Sequence, residues 1–381
     1  MARNPFNFGD LALDEGFTDR ERELRELEAD ILNGQNVVVF APRRFGKSSL
    51  VWRATQQLTR KRVLVAQVDL MRVATKEQLA AKLAGAIYEE IATPLFRIRE
   101  KAVEIFRSLR ITPTMTVDPT DGSLGFSFIA GAAPEDVDAT IERLLELPAE
   151  LAAGRKRRVA LVFDEFQEVL DLDPRLPALM RAVFQSQPDV AHVYLGSKRA
   201  MMEKLFNDAN EPFWRSAKQM ELGVLPADAF ARFIDERFAA TGKAIEPGVV
   251  DRVLAVTGGH PYGTQELCYA LWEETPDGTG VTGDTLERAI DRVLRAENAH
   301  FTYVWDTIPR TQRLVLQALA TAPAAQLLSE EYRTRHGLPA ASSVQRAAGE
   351  LVGSELVARS RQGAYRIAEP FLAEWVRRFA A

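Results

Sequence analysis

Residues Asn36 to Ser49, NVVVFAPRRFGKSS, run from a β-branched apolar stretch through a tight loop into Gly46-Lys47-Ser48. The pattern predicts strand, loop and helix in succession, the setting in which a phosphate-binding loop works. Backbone N–H groups and a helix N-terminus can face phosphate oxygens, the Lys47 ammonium can reach the β and γ positions, and the Ser48 hydroxyl can hold Mg²⁺. The candidate nucleotide-binding segment is Pro42, Arg43, Arg44, Phe45, Gly46, Lys47, Ser48 and Ser49. The usual spacing is G-x-x-x-x-G-K-[ST], and Ala41 stands where its first glycine is normally found. A GKS tripeptide also arises by chance, so the reading needs a second element.

That element is Val159 to Glu165, VALVFDE, an apolar run of strand length closed by two carboxylates. A parallel strand buried on both faces reads this way, and acids at its C-terminal end lie where open α/β sheets bind ligands. Asp164 is then a candidate Mg²⁺ partner, beside Ser48. Glu165 is a candidate base that polarises a water for attack on a γ-phosphate. Without the upstream loop, the same run would be a core strand ending in a solvated acidic turn.

Composition sets wider bounds. At 381 residues the chain exceeds the usual single-core limit, so two or three domains are expected. A hydrophobic fraction of 46% and a charged fraction of 27% suit a globular protein, and a net charge of −5 argues against a nucleic-acid coat. Cys268 is the single cysteine, which excludes a disulfide framework and a thiolate metal site. His192, His260, His300 and His336 lack ligand spacing. No apolar run approaches the ~18 residues of a membrane span, and no signal peptide is visible, so a cytoplasmic location is expected.

Along the chain, MARNPFNFGDLA reads as an arm that packs through Phe6 and Phe8. Asp19 is expected to cap a helix with Leu24, Leu27, Ile31 and Leu32 on one face and Gly34 as its stop. After the loop come a helix to about Leu58, a strand over Val63 to Leu70, and a helix opened by a Thr75/Gln78 capping pair. Residues 94–133 interrupt the alternation as an insertion: a helix, then two strands about a Pro119-Thr120-Asp121-Gly122 turn. A helix from Pro134, the basic run Gly154 to Arg158, the acidic strand, a helix near Leu176 to Gln185 and strands near Ala191 to Gly196 and Gln219 to Val224 follow. The basic run suits a solvated rim loop or a nucleic-acid contact.

Strand signals then stop, and four amphipathic segments predict a small helical domain. From Pro309, three helices and a hairpin about Arg361-Gln362-Gly363 predict a winged helix. The expected fold is therefore α/β: a parallel P-loop NTPase sheet sandwiched by helices, followed by a helical domain and a winged-helix domain. The boundaries read as 1–225, 226–304 and 305–381.

These features together resemble the archaeal-type ATPases of the STAND division, relatives of the AAA+ class, over most of residues 5–381. NPF at Asn4 and FTDREREL at Phe17 to Leu24 resemble that family's hh-G-R-E-x-E signature, with Asp19 in place of glycine and Arg20, Glu21 and Glu23 matching. APRRFGKSSL and LVFDEFQE match its phosphate loop and acidic strand. Tyr194-Leu-Gly-Ser197, followed by Met201-Met202, resembles its sensor strand. Glu211-Pro-Phe-Trp-Arg215 resembles its P-L-Y-G-R segment with two departures, and Gly258-Gly-His-Pro-Tyr262 fits its G-x-P element.

The resemblance implies catalytic roles for Lys47, Glu165, Ser197 and Arg215, nucleotide contacts from Arg20 and Pro261, and ATP or ADP with Mg²⁺ as cofactors. Arg199 is a further candidate to neutralise the transferring phosphate, and Arg215 suits the same task in cis or from a neighbouring copy. Ser197 also reads as a strand end, Pro261 as a plain helix-start proline, His260 as a helix cap, and the two arginines as surface salt-bridge partners.

The implied activity is that of a nucleotide-dependent switch with slow Mg-ATP hydrolysis, signalling to an unknown protein partner in trans, with nucleotide-dependent self-association open. The alternative is an ATP-controlled DNA-binding protein of the origin-recognition or transposition-targeting kind. Residues 301–381 hold ten arginines against seven acids, and the candidate recognition helix offers only Gln345 and Arg346 to DNA, helped by Arg359, Arg361 and Arg366 on the wing. That is weak for a dedicated DNA binder, so transmission of nucleotide state is the favoured role. A nucleotide-binding scaffold without turnover is the third reading.

Overall fold

A strand covered on both faces needs no polar side, and the sequence supplies several such strands, which fixes the architecture of one half of the molecule. The protein is described from a computed structural model over residues 3–9, 19–92, 95, 112–117, 124–129, 134–153, 157–360 and 362–380. The Pro119–Gly122 turn, Gly154, Arg155, Lys156, Arg361 and the helix expected near Ile98 to Leu109 lie outside the described residues. Two compact units are present: Arg20–Arg43 with Lys47–Leu222, and Met1–Asp19 with Arg44–Gly46 and Gly223–Ala381.

The first unit runs α1 (Glu21–Leu32), β1 (Val37–Phe40), α2 (Lys47–Arg60), β2 (Leu64–Asp69), α3 (Lys76–Ile87), β3 (Thr112–Val117), β4 (Leu124–Ile129), α4 (Pro134–Ala152), β5 (Val159–Asp164), α5 (Val169–Leu172), α6 (Leu176–Phe184), β6 (Val190–Gly196), α7 (Arg199–Asn207) and β7 (Lys218–Glu221). Five strands form one sheet in the order β2-β5-β6-β1-β7, and every pairing in it is parallel. The expected insertion strands exist as an antiparallel β3–β4 hairpin, paired from Thr112↔Ile129 to Val117↔Leu124. On α3, Thr75 accepts from Gln78 N while Gln78 Oε1 accepts from Ala74 N, so the capping pair closes one residue further back than a strict box. Leu79, Leu83 and Ile87 are fully buried along the same face, and Ile91 continues it in a π turn.

The start of α1 corrects one expectation. Arg20 occupies the N-cap position without a side-chain cap bond, and Asp19 sits at φ +41 instead of capping. That left-handed value is what glycine adopts freely and aspartate tolerates, which explains why the similar motif carries glycine there. Helix α7 and the turn through α5 were not expected from periodicity; both are short and follow directly on strand ends.

The second unit comprises α8 (Ala227–Ala240), α9 (Val249–Thr257), α10 (Pro261–Glu274), α11 (Gly283–Thr307), α12 (Arg310–Thr321), α13 (Glu330–Arg335), α14 (Ala341–Gly353), β8 (Val357–Arg359), β9 (Tyr365–Ile367) and α15 (Pro370–Trp375). The α12–α14 helices with the β8–β9 hairpin form the winged helix, and a bridge from Ala324 to Tyr365 adds a third edge to the wing. The expected boundary at 304/305 falls inside α11, a continuous helix of 25 residues. One apolar core runs from Phe230 and Leu267 through Leu286 to Val315, Leu351 and Trp375, so these two segments bury their faces together. The N-terminal arm belongs here as well. Phe6 is 3% exposed against Phe233 and Phe238, and Phe8 meets Tyr262 and Tyr269 edge-on, placing the arm outside the sheet unit to which residues 1–225 assigned it.

Candidate nucleotide site

Strand β1 delivers the loop. All four of its residues are buried, and α2 begins at Lys47, so the loop must turn within six residues. It does so with left-handed backbone at Arg44 (φ +65) and Gly46 (φ +83). Around Gly46 a Cβ would meet nothing within 4 Å, so its glycine is required by backbone angle and leaves open space beside the helix start. Ala41 is absent from the left-handed residues, which explains why alanine is tolerated at that step of the motif.

Strand order sets the rest. Strand β6 lies between β1 and β5, so the end of the sensor-like strand falls between the loop and the acid pair. Register places Phe40 beside Gly196 and Asp69 beside Asp164 at the C-terminal edge. There the Ser48 hydroxyl donates to Asp164 Oδ2 (3.3 Å), and Lys47, 6% exposed, donates to the Ala41 carbonyl (3.1 Å). Burial raises the Asp164 pKa, the neighbouring Glu165 and Asp69 charges add to this, and Lys47 opposes them. One hydroxyl and one carboxylate with open positions suit Mg²⁺, which keeps waters and phosphate oxygens around it. Among the described residues no group of three His, Cys, Asp or Glu could hold a metal without such help.

Glu165 leaves the strand at φ +52, and this sharp turn brings its carboxylate back under three donors. Ser197 Oγ (2.6 Å), Ser197 N (3.3 Å) and Gln167 Nε2 (2.6 Å) all point at Glu165 Oε2. Burial pushes its pKa up, yet these bonds and the Lys47 charge win and hold it below the usual glutamate value. Gly196 explains the close fit: a Cβ there would lie 2.3 Å from Met202 Cγ and 2.8 Å from Gln167 Oε1. Gln167 and Asp69 were missed by sequence reasoning. Asp69 ends an apolar strand just as Asp164 does, a usable signal; Gln167 had none, because only the left-handed turn folds it onto its neighbour.

The other expected residues separate. Arg43 and the exposed Pro42 stay with the sheet unit, where Arg43 faces Lys198, itself held by Glu168 (2.9 Å). Ser49 is buried in α2. Arg44 and Phe45 group with the second unit: the Arg44 guanidinium lies 4.2 Å over the Tyr262 ring, and Phe45 meets His260 edge-on at 4.6 Å. His260 caps α10, its Nδ1 accepting from Gly263 N (3.1 Å), with burial and then the Arg366 and Arg44 charges lowering its pKa to about 4. Pro261 follows as the first residue of that helix.

Arg20 is buried at the head of α1 and pairs with Glu23 (3.4 Å). Arg199 is held by Glu203 and by Glu221 at the C-terminal end of β7 (2.8 Å each). Arg215 is not brought to the loop. It precedes β7 at the opposite end of the sheet, where Asn36 accepts from Lys218 N and donates to the Ser216 carbonyl. A cis catalytic role for Arg215 is thereby corrected. On α14, Gln345 and Arg346 are exposed.

Comparison with known proteins bears on the family and the fold. A family model described as an ATPase domain predominantly from Archaea matches residues 17–267, and one described as a probable winged helix domain matches residues 299–378. The Walker-type ATPase PABY2304 of Pyrococcus abyssi is similar in fold at a TM-score of 0.65 and 18% identity, over 98% of this chain and 99% of its own. The ORC2 protein of Aeropyrum pernix, solved as ADPNP-ADP complexes, is similar at a TM-score of 0.54 and 14% identity, over 98% and 96%. No curated protein matches the chain in sequence. No helix among the described residues is long and apolar enough to cross a membrane.

Proposed function

We propose that this chain, which belongs to the ATPase family found predominantly in Archaea, works as a STAND-type nucleotide-dependent switch that hydrolyses Mg-ATP slowly. The observation carrying the reading is the Ser48–Asp164 contact beside a Glu165 carboxylate held by Ser197 and Gln167. Bound Mg-ATP would supply the phosphoanhydride bond and a cation that draws charge from it.

Lys47 would stabilise the phosphate oxygens once it leaves the Ala41 carbonyl. Ser48 and Asp164 would hold the cation, and burial of Asp164 among acids favours that partner. Glu165 would orient and deprotonate the attacking water. Three donors on one oxygen weaken a base, which supports slow turnover. Ser197 then positions Glu165 before it senses any phosphate. Arg20, Arg43 and Pro261 remain proposed nucleotide contacts, while Arg44, stacked on Tyr262, is the loop residue least suited to face phosphate. A protein partner in trans and nucleotide-dependent self-association belong to the same reading, and any nucleotide that Arg215 meets is a neighbouring copy's, not its own.

Phosphate release and nucleotide titration test it. The natural chain should turn over well below the ~10 s⁻¹ typical of enzymes. Glu165→Gln should keep ATP affinity and lose roughly 10²–10⁴-fold in rate. Undiminished turnover in that variant would remove Glu165 from the mechanism.

A further inference from the structure

At the end of the sheet away from the loop, the chain enters β1 and β6, and a recess of about 260 Å³ opens among Gly34, Asn36, Arg181, Gln187, Arg215 and Ser216. Its lining is polar, and it carries charge of one sign. Arg181 and Arg215 have no carboxylate partner among the described residues. Arg158 joins them: a Cβ on Gly34 would stand 3.2 Å from Arg158 Nη1. Arg158 ends the basic run that the nucleotide reading leaves unused.

Hydrogen bonds and a ring stack hold the wall of the recess. Asn36 Oδ1 accepts from the backbone N–H of His192 (2.9 Å) and lies 3.1 Å from its Nδ1, while Asn36 Nδ2 donates to the Ser216 carbonyl (3.4 Å). His192 stacks on Phe184 at 3.9 Å. Arg215 keeps φ +49, a value that non-glycine residues seldom hold, and its guanidinium lies 5.2 Å from the Trp214 ring centre.

One buried atom asks for a ligand. Gln187 is 6% exposed, and its Nε2 donates to the Leu145 carbonyl (2.8 Å). That carbonyl can only accept, so the amide is fixed in this orientation and its Oε1 is left without a partner. An acceptor wanting a donor therefore stands among guanidiniums wanting an anion.

We propose that this recess binds a small oxyanion that also bears a hydroxyl, with a phosphate monoester of a small alcohol as the fitting class. Arg181 and Arg215 take the oxyanion through charge-assisted bonds, Arg158 adds positive potential, and Gln187 Oε1 accepts from the hydroxyl. The site is separate from the nucleotide loop and makes the sheet unit responsive to a second metabolite-sized ligand.

The test is calorimetric titration of the full chain carrying Lys47→Ala, which removes competing phosphate binding at the loop. Glycerol 3-phosphate should bind once per chain and glycerol should not. Arg181→Gln or Arg215→Gln, added singly, should weaken binding about tenfold or more, the loss expected for one charge-assisted bond. Binding of glycerate in place of the phosphate ester would assign the site to hydroxy acids within the same chemistry. No saturable binding of either ligand, full binding in both arginine variants, or binding confined to oligonucleotides would overturn the proposal. Arg181→Gln in the otherwise natural chain should still bind ATP, which confirms its fold; if it does not, the exposed Arg215→Gln decides.

Discussion

The two ends of the parallel sheet lie roughly 15–20 Å apart, given strands of this length, and they are built on opposite plans. At the C-terminal end the buried Lys47 stands near the Asp164 and Glu165 carboxylates, with Asp69 beside Asp164, and Ser48, Ser197 and Gln167 bond to the two acids. At the N-terminal end two guanidiniums, Arg181 and Arg215, line a recess that no acid lines, Arg158 stands beside its Gly34, and Gln187 Oε1 is unspent. A site that holds both signs and has its acids bonded keeps its shape before any ligand arrives and can place a cation and a base. A site of one sign has its attraction in reserve and is completed only by something of the other sign.

The largest expected effect breaks the mixed-sign end. Lys47→Ala should lower ATP affinity by about a hundredfold or more, since it removes several charge-assisted bonds at once; equilibrium dialysis would show it. Near-normal affinity would mean that the loop is not where the triphosphate is held.

Acid should break the opposite end next. His192 is fully buried, and burial, with the Arg181 charge, lowers its pKa to about 3 from an ordinary value of 6.5. The unfolded chain therefore takes up a proton that the folded chain refuses. Stability is complete above pH 6.5 and falls as pH drops from there toward 3. The slope from one such group is at most about 1.4 kcal/mol per pH unit. His260, lowered to about 4, acts in the same direction. Urea unfolding at pH 7, 6 and 5 should show the loss, and His192→Gln should make it shallower; an unchanged slope would exclude His192 as a contributor.

The smallest effect sharpens the mixed-sign end. Gln167→Met keeps the volume but frees Glu165 Oε2 from one donor, so kcat should rise by about three- to tenfold with KM little changed. A fall in kcat would show that Gln167 orients Glu165 more than it restrains it.

Much of this was legible before folding. The β1 strand, the loop and the β5 acids each occupy a few consecutive residues whose chemistry follows from backbone direction, so spacing alone located them. Ser197 was reached only through the family resemblance, since by itself it reads as a strand end. Gln167 escaped because its approach to Glu165 depends on a left-handed turn at a residue that is not glycine. Whether Arg215 acts in cis or from a neighbour was left open, because a motif names residues without saying at which end of a strand they stand. The expected Asp19 cap failed for a related reason: an acid before a helix signals a cap only if its backbone is extended.

The sequence alone therefore determined the sheet's strands, the phosphate loop, the acid pair and the winged helix. Period, turn chemistry and short motifs act over a dozen residues or so, within the reach of local interactions. Only tertiary structure decided that β6 stands between the loop and the acids, that the arm joins the helical core, and that Asn36, Arg181, Gln187 and Arg215 share one recess. Such meetings arise from strand order and crossover connections, which bring together residues separated by scores of positions and leave no mark in any local stretch.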